Sequence, residues 1–298
     1  MNQHSGSGYL YALGAYCAWG MVPIYWKHLA ALPASDLLAY RVLCSFVLAS
    51  LVLVGLGRFP ELIKSLKRPK QSLLLLASGL IIGSNWGIFI YAVNSDRILD
   101  TALGYFLAPL LNVALGVALF HERLSRLRMF AVAMATVGVG YLAYGYGELP
   151  WISLVLAGSF GVYGVLKKWS GVSSLGGFQV ETAVLSLPAL GFLVANESEP
   201  WVQLAAMSSS NLWLLASSGL VTAFPLVCFA SAARRLPLSV VGLFQYISPS
   251  LSLGIAVWLY EEPFTSVHAV TFSFIWTALA LSSWEEIQSW RHSKTPTP

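Results

Sequence analysis

Two ionisable residues stand deep inside long apolar stretches of this chain: Arg41 in LLAYRVLCSF and Glu181 in GFQVETAVL. A charge in such a setting costs roughly 2.5–3.5 kcal/mol on membrane-insertion scales, so it marks a binding, pairing or proton-handling role by default. The guanidinium of Arg41 stays protonated. It is a fixed cation that can stand as a charge at one mouth of a central cavity, snorkel towards water, or tether a helix through Asp36 or Asp100. Glu181 can exchange protons, hold an amino group of a substrate, or pair with a lysine such as Lys167. The other reactive residue types form no constellation. Cys17, Cys44 and Cys228 are scattered through apolar segments without CxxC spacing, and the five histidines sit at segment ends or in tails without HExxH spacing. Neither a metal site nor a disulfide framework is expected. No GxxxxGK[ST] motif is present, so ATP is not the expected energy source.

The elements that must position Arg41 and Glu181 follow from composition. The chain is 57% hydrophobic and 10% charged, whereas globular domains carry roughly 25% charged residues. A soluble enzyme is excluded, and the solvent for most of this surface is lipid. Ten segments reach the length of about 20 apolar residues needed to cross a bilayer: 8–26, 36–57, 72–94, 99–120, 128–146, 150–167, 174–195, 210–232, 238–260 and 267–284. The longer connections, 58–71 and 196–209, read as loops. With the N-terminus inside, the inner loops hold fourteen of the seventeen Lys and Arg residues, and the outer loops only Lys27 and Arg97. The positive-inside rule therefore places both termini in the cytoplasm. The net charge of +4 is thus topological and gives no reason to expect nucleic acid as a partner. The first segment lacks a basic n-region and reads as retained.

A long repeat organises these spans. LGYFLAPLLNVALGVALFHERLS, from Leu103 to Ser125, returns 140 residues later as LFQYISPSLSLGIAVWLYEEPFT. Pro109 falls on Pro249, Tyr105 on Gln245, Glu122 on Glu262 and Arg41 on Glu181. Each half carries an odd number of spans, so the second half must be inverted relative to the first. The basic loop after span four faces in, and its counterpart after span nine, free of Lys and Arg, faces out. The expectation is an all-α integral membrane protein of ten transmembrane helices in two inverted five-helix repeats, residues 1–147 and 148–298. Inverted repeats place two gates around one site. Gly79, Gly83 and Gly87 form a double GxxxG on span three, a spacing that lets helix backbones approach closely.

Uncharged polar and aromatic residues inside the spans complete the candidate set. Trp19, Arg41, Asn85, Trp86, Tyr105, Gln179, Glu181, Gln245 and Tyr246 are candidate substrate-binding residues of a cavity, and Pro109 and Pro249 candidate kinks or hinges. Aromatic faces with few polar groups suit an amphipathic organic molecule, although Trp and Tyr also serve as plain interface anchors.

AYCAWGMVPIYWK, LAYRVLCSF, GSNWGIFIYAVN, LGYFLAPLLNVALG with HERLS, and FQYISPSL with YEEPFT resemble the RarD group of EamA-type permeases, in the drug/metabolite transporter superfamily. The resemblance covers residues 8 to 285. It implies a bacterial inner-membrane permease with a central cavity between spans one to four and six to nine, and with spans five and ten peripheral. It also implies a link to chloramphenicol, since members are described as chloramphenicol-sensitivity permeases. The family's usual Gly-Glu after span four reads His121-Glu122 here, and after span nine Glu261-Glu262. The expected function is secondary transport, with export of small amphipathic metabolites or drugs by alternating access and Glu181 as a candidate for proton coupling. The alternatives are an uptake permease for amino acids or nucleosides, a channel, and an integral-membrane enzyme. Lipids and a small-molecule substrate are the expected partners; no cofactor and no enzymatic activity are expected.

Overall fold

The computed structural model describes the chain apart from residues 1–3, 30, 95–97, 147–150, 196–198, 262–265 and 295–298. Arg97 and Glu262 thus lie outside the described residues. The regular elements among the described residues are all helices. In the first half they are α1 (His4–Lys27), α2 (Ala34–Gly55), α3 (Phe59–Leu66), α4 (Pro69–Asn94), α5 (Ile98–Phe120) and α6 (Arg126–Tyr146). In the second they are α7 (Trp151–Ser170), α8 (Ser174–Ala195), α9 (Glu199–Ala206), α10 (Ser209–Ala233), α11 (Leu238–Gln245), α12 (Ile247–Leu259) and α13 (Ser266–Lys294). Long helices are the physical solution for an apolar chain in lipid, where each backbone polar group must be satisfied within its own segment. Among the described residues, six stretches are long and apolar enough to cross a membrane: Ala34–Gly55, Pro69–Phe89, Arg126–Tyr144, Ser174–Ala195, Ser209–Ala233 and Leu238–Leu259. The chain is an all-helical, multi-pass integral membrane protein.

The helix boundaries differ from the sequence reading in three informative places. The loops 58–71 and 196–209 contain α3 and α9, eight-residue helices too short for any spanning pattern. Pro60 falls in the first turn of α3, where its missing N–H costs nothing, and Leu62 is buried while Glu61 and Lys64 stay exposed. Helix α7 continues to Ser170, past the expected end at 167, which puts Lys167 and Lys168 inside its last turn. The ninth apolar segment is not one helix. It divides at Tyr246 into α11 and α12. Pro249, with no N–H and a ring that crowds the carbonyl four residues back at Gln245, weakens the helix at this point. Pro109, its counterpart, sits inside the uninterrupted α5.

The 140-residue register is visible in the helices themselves. Helices α2 and α8 each span 22 residues and are displaced by 140 at both ends, as are the 8-residue α3 and α9. Packing follows the same exchange. Helix α1 packs on α10 and α12, while α7 packs on α4 and α5; α2 meets α10 and α8 meets α4; α2 pairs with α8, and α6 with α13. Moving every partner by one repeat converts these contacts into one another. Helices α6 and α13 form an outer pair, held through Phe106, Ala131, Ala135, Phe272 and Ile275. The main core gathers Tyr16, Tyr163, Phe178, Phe229 and Val241 from α1, α7, α8, α10 and α11.

Close helix approaches use glycines unequally. A Cβ at Gly219 of α10 would stand 2.6 Å from the carbonyl oxygen of Cys44 on α2. In the register-equivalent contact, a Cβ at Gly79 of α4 would meet the Cα of Glu181 at 3.3 Å. Gly83 faces the Leu185 side chain, but nothing lies within 4 Å of a Cβ at Gly87, so only two glycines of the double GxxxG serve packing.

Candidate functional site

Glu181 on α8 is buried, and three neighbours saturate its carboxylate. The Lys167 ammonium on α7 donates to Oε1 at 2.8 Å, Ser78 on α4 donates to the same oxygen at 2.5 Å, and the Tyr163 hydroxyl donates to Oε2 at 3.1 Å. Lys167 and Glu181 side chains are each 3% exposed. Three helices are thus tied at one point. Gly177, one turn before Glu181, makes room for the lysine, since a Cβ there would stand 2.8 Å from Nζ. The ion pair adopts the lysine alternative for Glu181. Breaking such a buried pair by removing one partner costs about 3–5 kcal/mol, because an uncompensated charge remains.

The Tyr163 ring carries the network into the core. It stacks on Phe229 at 5.9 Å with planes 14° apart, and Phe229 contacts Trp19 at 6.0 Å and Phe160 at 4.9 Å. Trp19 also meets Tyr16 and Phe160. Trp86 packs against the same cluster. Over the Trp86 ring, at 4.5 Å, lies the guanidinium of Arg41, with Trp26 at 5.8 Å. An aromatic path therefore connects the two charges that the repeat places in register.

The environment of Arg41 is the reverse of that of Glu181. Its Nε is buried and has no hydrogen-bond partner. The ion pairs among the described residues are Arg128–Glu285, Lys167–Glu181 and Lys168–Glu122, none of which includes Arg41. Asp36 accepts a hydrogen bond from Ser35 instead, and the side chain of Asp100 lies outside the described residues. Tyr105, 55% exposed, is within electrostatic reach of Arg41 and touches Phe89.

The remaining candidates hold helices together. Asn85 on α4 donates to the Leu156 carbonyl at 2.9 Å and to Ser159 at 2.8 Å, joining α4 to α7. Gln179 donates to Ser50 at 2.8 Å, and its own carbonyl oxygen is buried without a donor. Gln245, at the end of α11, accepts from Asn112 at 2.8 Å. Tyr246 is fully buried and donates to the Phe106 carbonyl of its own register mate, 140 residues away. It belongs to the packing of α5 and α13 rather than to the cluster around Trp19. Pro109 is buried on α5, its carbonyl facing Gly242, where a Cβ would stand 2.7 Å away; Pro249 is half-buried one turn beyond the helix break. The structure brings Trp19, Trp86, Arg41 and Glu181 onto one path and leaves Tyr246 outside it.

Sequence reading omitted several partners from its candidate set. Ser78, Tyr163 and Lys168 gave no signal on their own, because nothing in their local sequence names a partner on another helix. Glu122 was singled out by the repeat, and its contacts reach α11 and α7. Its carboxylate accepts the backbone N–H groups of Leu238 at 2.6 Å and Ser239 at 2.9 Å, closing the N-terminus of α11, and the Lys168 ammonium at 3.2 Å. A carboxylate at a helix N-terminus satisfies free donors and complements the helix dipole. Burial pushes the Glu122 carboxyl up, but the Ser239 hydroxyl, the two amides and Lys168 outweigh it and hold it below the usual carboxylate range. The residue before it, His121, has φ +53°, and its register mate Glu261 has φ +54°. These are the left-handed positions that favour glycine, where the resembled family carries Gly.

The fold is that of a multi-pass membrane protein, and comparison with known proteins places it among transporters. The EamA-like transporter family matches residues 6–144. An uncharacterized transporter of Vibrio cholerae is 43% identical over 282 residues, covering 94% of this chain and 93% of the relative. Protein RarD of Streptomyces exfoliatus is 40% identical over 288 residues, covering 97% and 91%. A solved crystal structure shares the fold with a TM-score of 0.71 at 19% identity, across 95% of this chain and 99% of that one. The chain belongs to the RarD group of the EamA-like transporters.

Proposed function

We propose that the protein is a secondary transporter of small amphipathic molecules, working by alternating access and exporting from the bacterial cytoplasm. Ten spans in two inverted halves, 1–147 and 148–298, with both termini cytoplasmic, form its frame. Helices α1, α5, α7 and α13, at 24, 23, 20 and 29 residues, join the six apolar stretches in that count, with α11 and α12 forming one span. The observation that carries the reading is the asymmetry at one register: Glu181 is paired with Lys167, and Arg41, in an aromatic setting, has no ion-pair partner among the described residues. In the proposed topology the paired end faces the cytoplasm. Lys167–Glu181, together with Lys168–Glu122 at the start of α11, forms the inner gate. Opening inward breaks these pairs, and proton binding at Glu181 belongs to that second conformation.

Reconstituted protein tests this. Proteoliposomes should show saturable counterflow with members of a panel of chloramphenicol, amino acids and nucleosides; flux that rises without saturation argues for a channel instead. Glu181→Gln should retain exchange and lose accumulation driven by a pH gradient. Lost binding in that variant assigns Glu181 to substrate, and unchanged accumulation removes it from the mechanism.

A further inference from the structure

We infer that Arg41 receives the anionic group of the transported molecule, which makes the substrate class small organic acids with an apolar or aromatic body. The inference rests on the transport reading and narrows it. An intramembrane guanidinium is expensive, and contact with aromatic faces returns only about 0.5–2 kcal/mol. Arg41 has such faces, Trp86 at 4.5 Å and Trp26 at 5.8 Å, yet no carboxylate among the described residues pairs with it, and its buried Nε donates to nothing. The other half shows how this fold satisfies a charge at the same register: Glu181 is matched by Lys167. The register mate of Lys167 is Lys27, which has the same sign as Arg41 and cannot neutralise it. The Lys27 ammonium lies instead 3.4 Å from the Tyr260 ring centre. At one register, then, one half holds a complete ion pair, and the other holds two cations that no carboxylate among the described residues pairs. A carboxylate suits Arg41, because the planar guanidinium fork can donate two parallel hydrogen bonds to it. Trp86, Trp26 and Tyr105 offer faces for the rest of such a molecule.

Matched acids and amides test the assignment on the full-length protein in lipid nanodiscs. Phenylacetate and indole-3-acetate are compared with phenylacetamide and indole-3-acetamide by calorimetry and thermal shift, in chloride-free buffer. The expected result is that an acid binds and its amide does not. Arg41→Gln should weaken acid binding at least about tenfold, the value of one lost charge-assisted hydrogen bond. Arg41→Lys should fall between, since it keeps charge without the fork. The comparison of acid with amide on the unmodified protein stands even if Arg41→Gln does not fold. Equal binding of acid and amide, unchanged acid binding by Arg41→Gln, or no acid binding at all overturns the inference. Saturation by chloride or inorganic phosphate alone, with no further effect of the acids, overturns it too. So does acid binding that emerges only in Asp100→Asn, which would make Asp100 the resident counter-charge. Arg41-dependent acid binding without counterflow of labelled phenylacetate would remove the transport reading and leave the anion site standing.

Discussion

At the scale of single residues, charge placement decides more than charge count. Glu181 and Glu122 are both held by lysines of α7, but in different media. The Glu181 pair is sealed from solvent, so Lys167→Met should destabilise the protein by about 3–5 kcal/mol. The double variant Lys167→Met with Glu181→Leu should recover most of that loss, because apolar replacement of both partners removes the stranded charge. Thermal unfolding of both in one detergent checks this; equal loss in the single and double variants contradicts it. The Glu122 side chain is 11% exposed beside a Lys168 side chain that is 22% exposed, and its carboxyl lies below its ordinary value of 4.5. A depressed carboxylate contributes stability above its unfolded pKa and loses it as pH falls through its folded pKa. Glu122→Gln should therefore lower the unfolding midpoint at pH 7, by the equivalent of about 0.5–2 kcal/mol for a lost cap. The two proteins should converge as the pH falls through the folded-state pKa of Glu122, which lies below 4.5; a gap that does not narrow as the pH falls assigns the effect to packing instead.

At the scale of helices, two features separate what the backbone tolerates from what it needs. Gly219 lies against the backbone of α2 at Cys44, where no flexible side chain can give way. Gly219→Ala should cost about 1–3 kcal/mol, while Gly87→Ala, with nothing within 4 Å, should be neutral or slightly stabilising. Folded yield and melting midpoint distinguish the pair, and equal effects would contradict the packing described. His121 and Glu261 end α5 and follow α12 in left-handed conformation without being glycine. Replacing either by Gly should stabilise by up to about 1–2 kcal/mol, the ordinary strain of an L-residue there. A fall in midpoint for both variants would show that these side chains hold contacts worth more than the strain.

At the scale of the whole molecule, the repeat predicts orientation. Reporter fusions at Arg68, Arg126 and Arg235 should read cytoplasmic, and fusions at His28 and Ser208 periplasmic, because the basic residues concentrate on one side. A periplasmic reading at Arg126 removes the inverted topology, and with it the inner position proposed for the Glu181–Lys167 pair. The pairing of α6 with α13 and the packing of α2 with α8 each join register mates, so both contacts exchange into themselves when the 140-residue register is applied.

The sequence alone determined the lipid environment, the helical class and the 140-residue register, since each is a one-dimensional property: apolar run length, charge per segment and self-similarity. It also marked Arg41 and Glu181, because a charge in an apolar run is visible without any partner. It pointed to Glu122 through the repeat, without saying that this carboxylate closes the start of α11 from a distance of 116 residues in the chain. Tertiary structure decided who meets whom. Lys167, Ser78 and Tyr163 come to Glu181 from two other helices, and only helix rotation and crossing fix that. The break at Tyr246 beside an unbroken α5 was also tertiary. The two register-matched prolines present the same missing N–H, but Pro109 is buried against Gly242 on α11 and Pro249 is half-buried, so packing chose which helix yields.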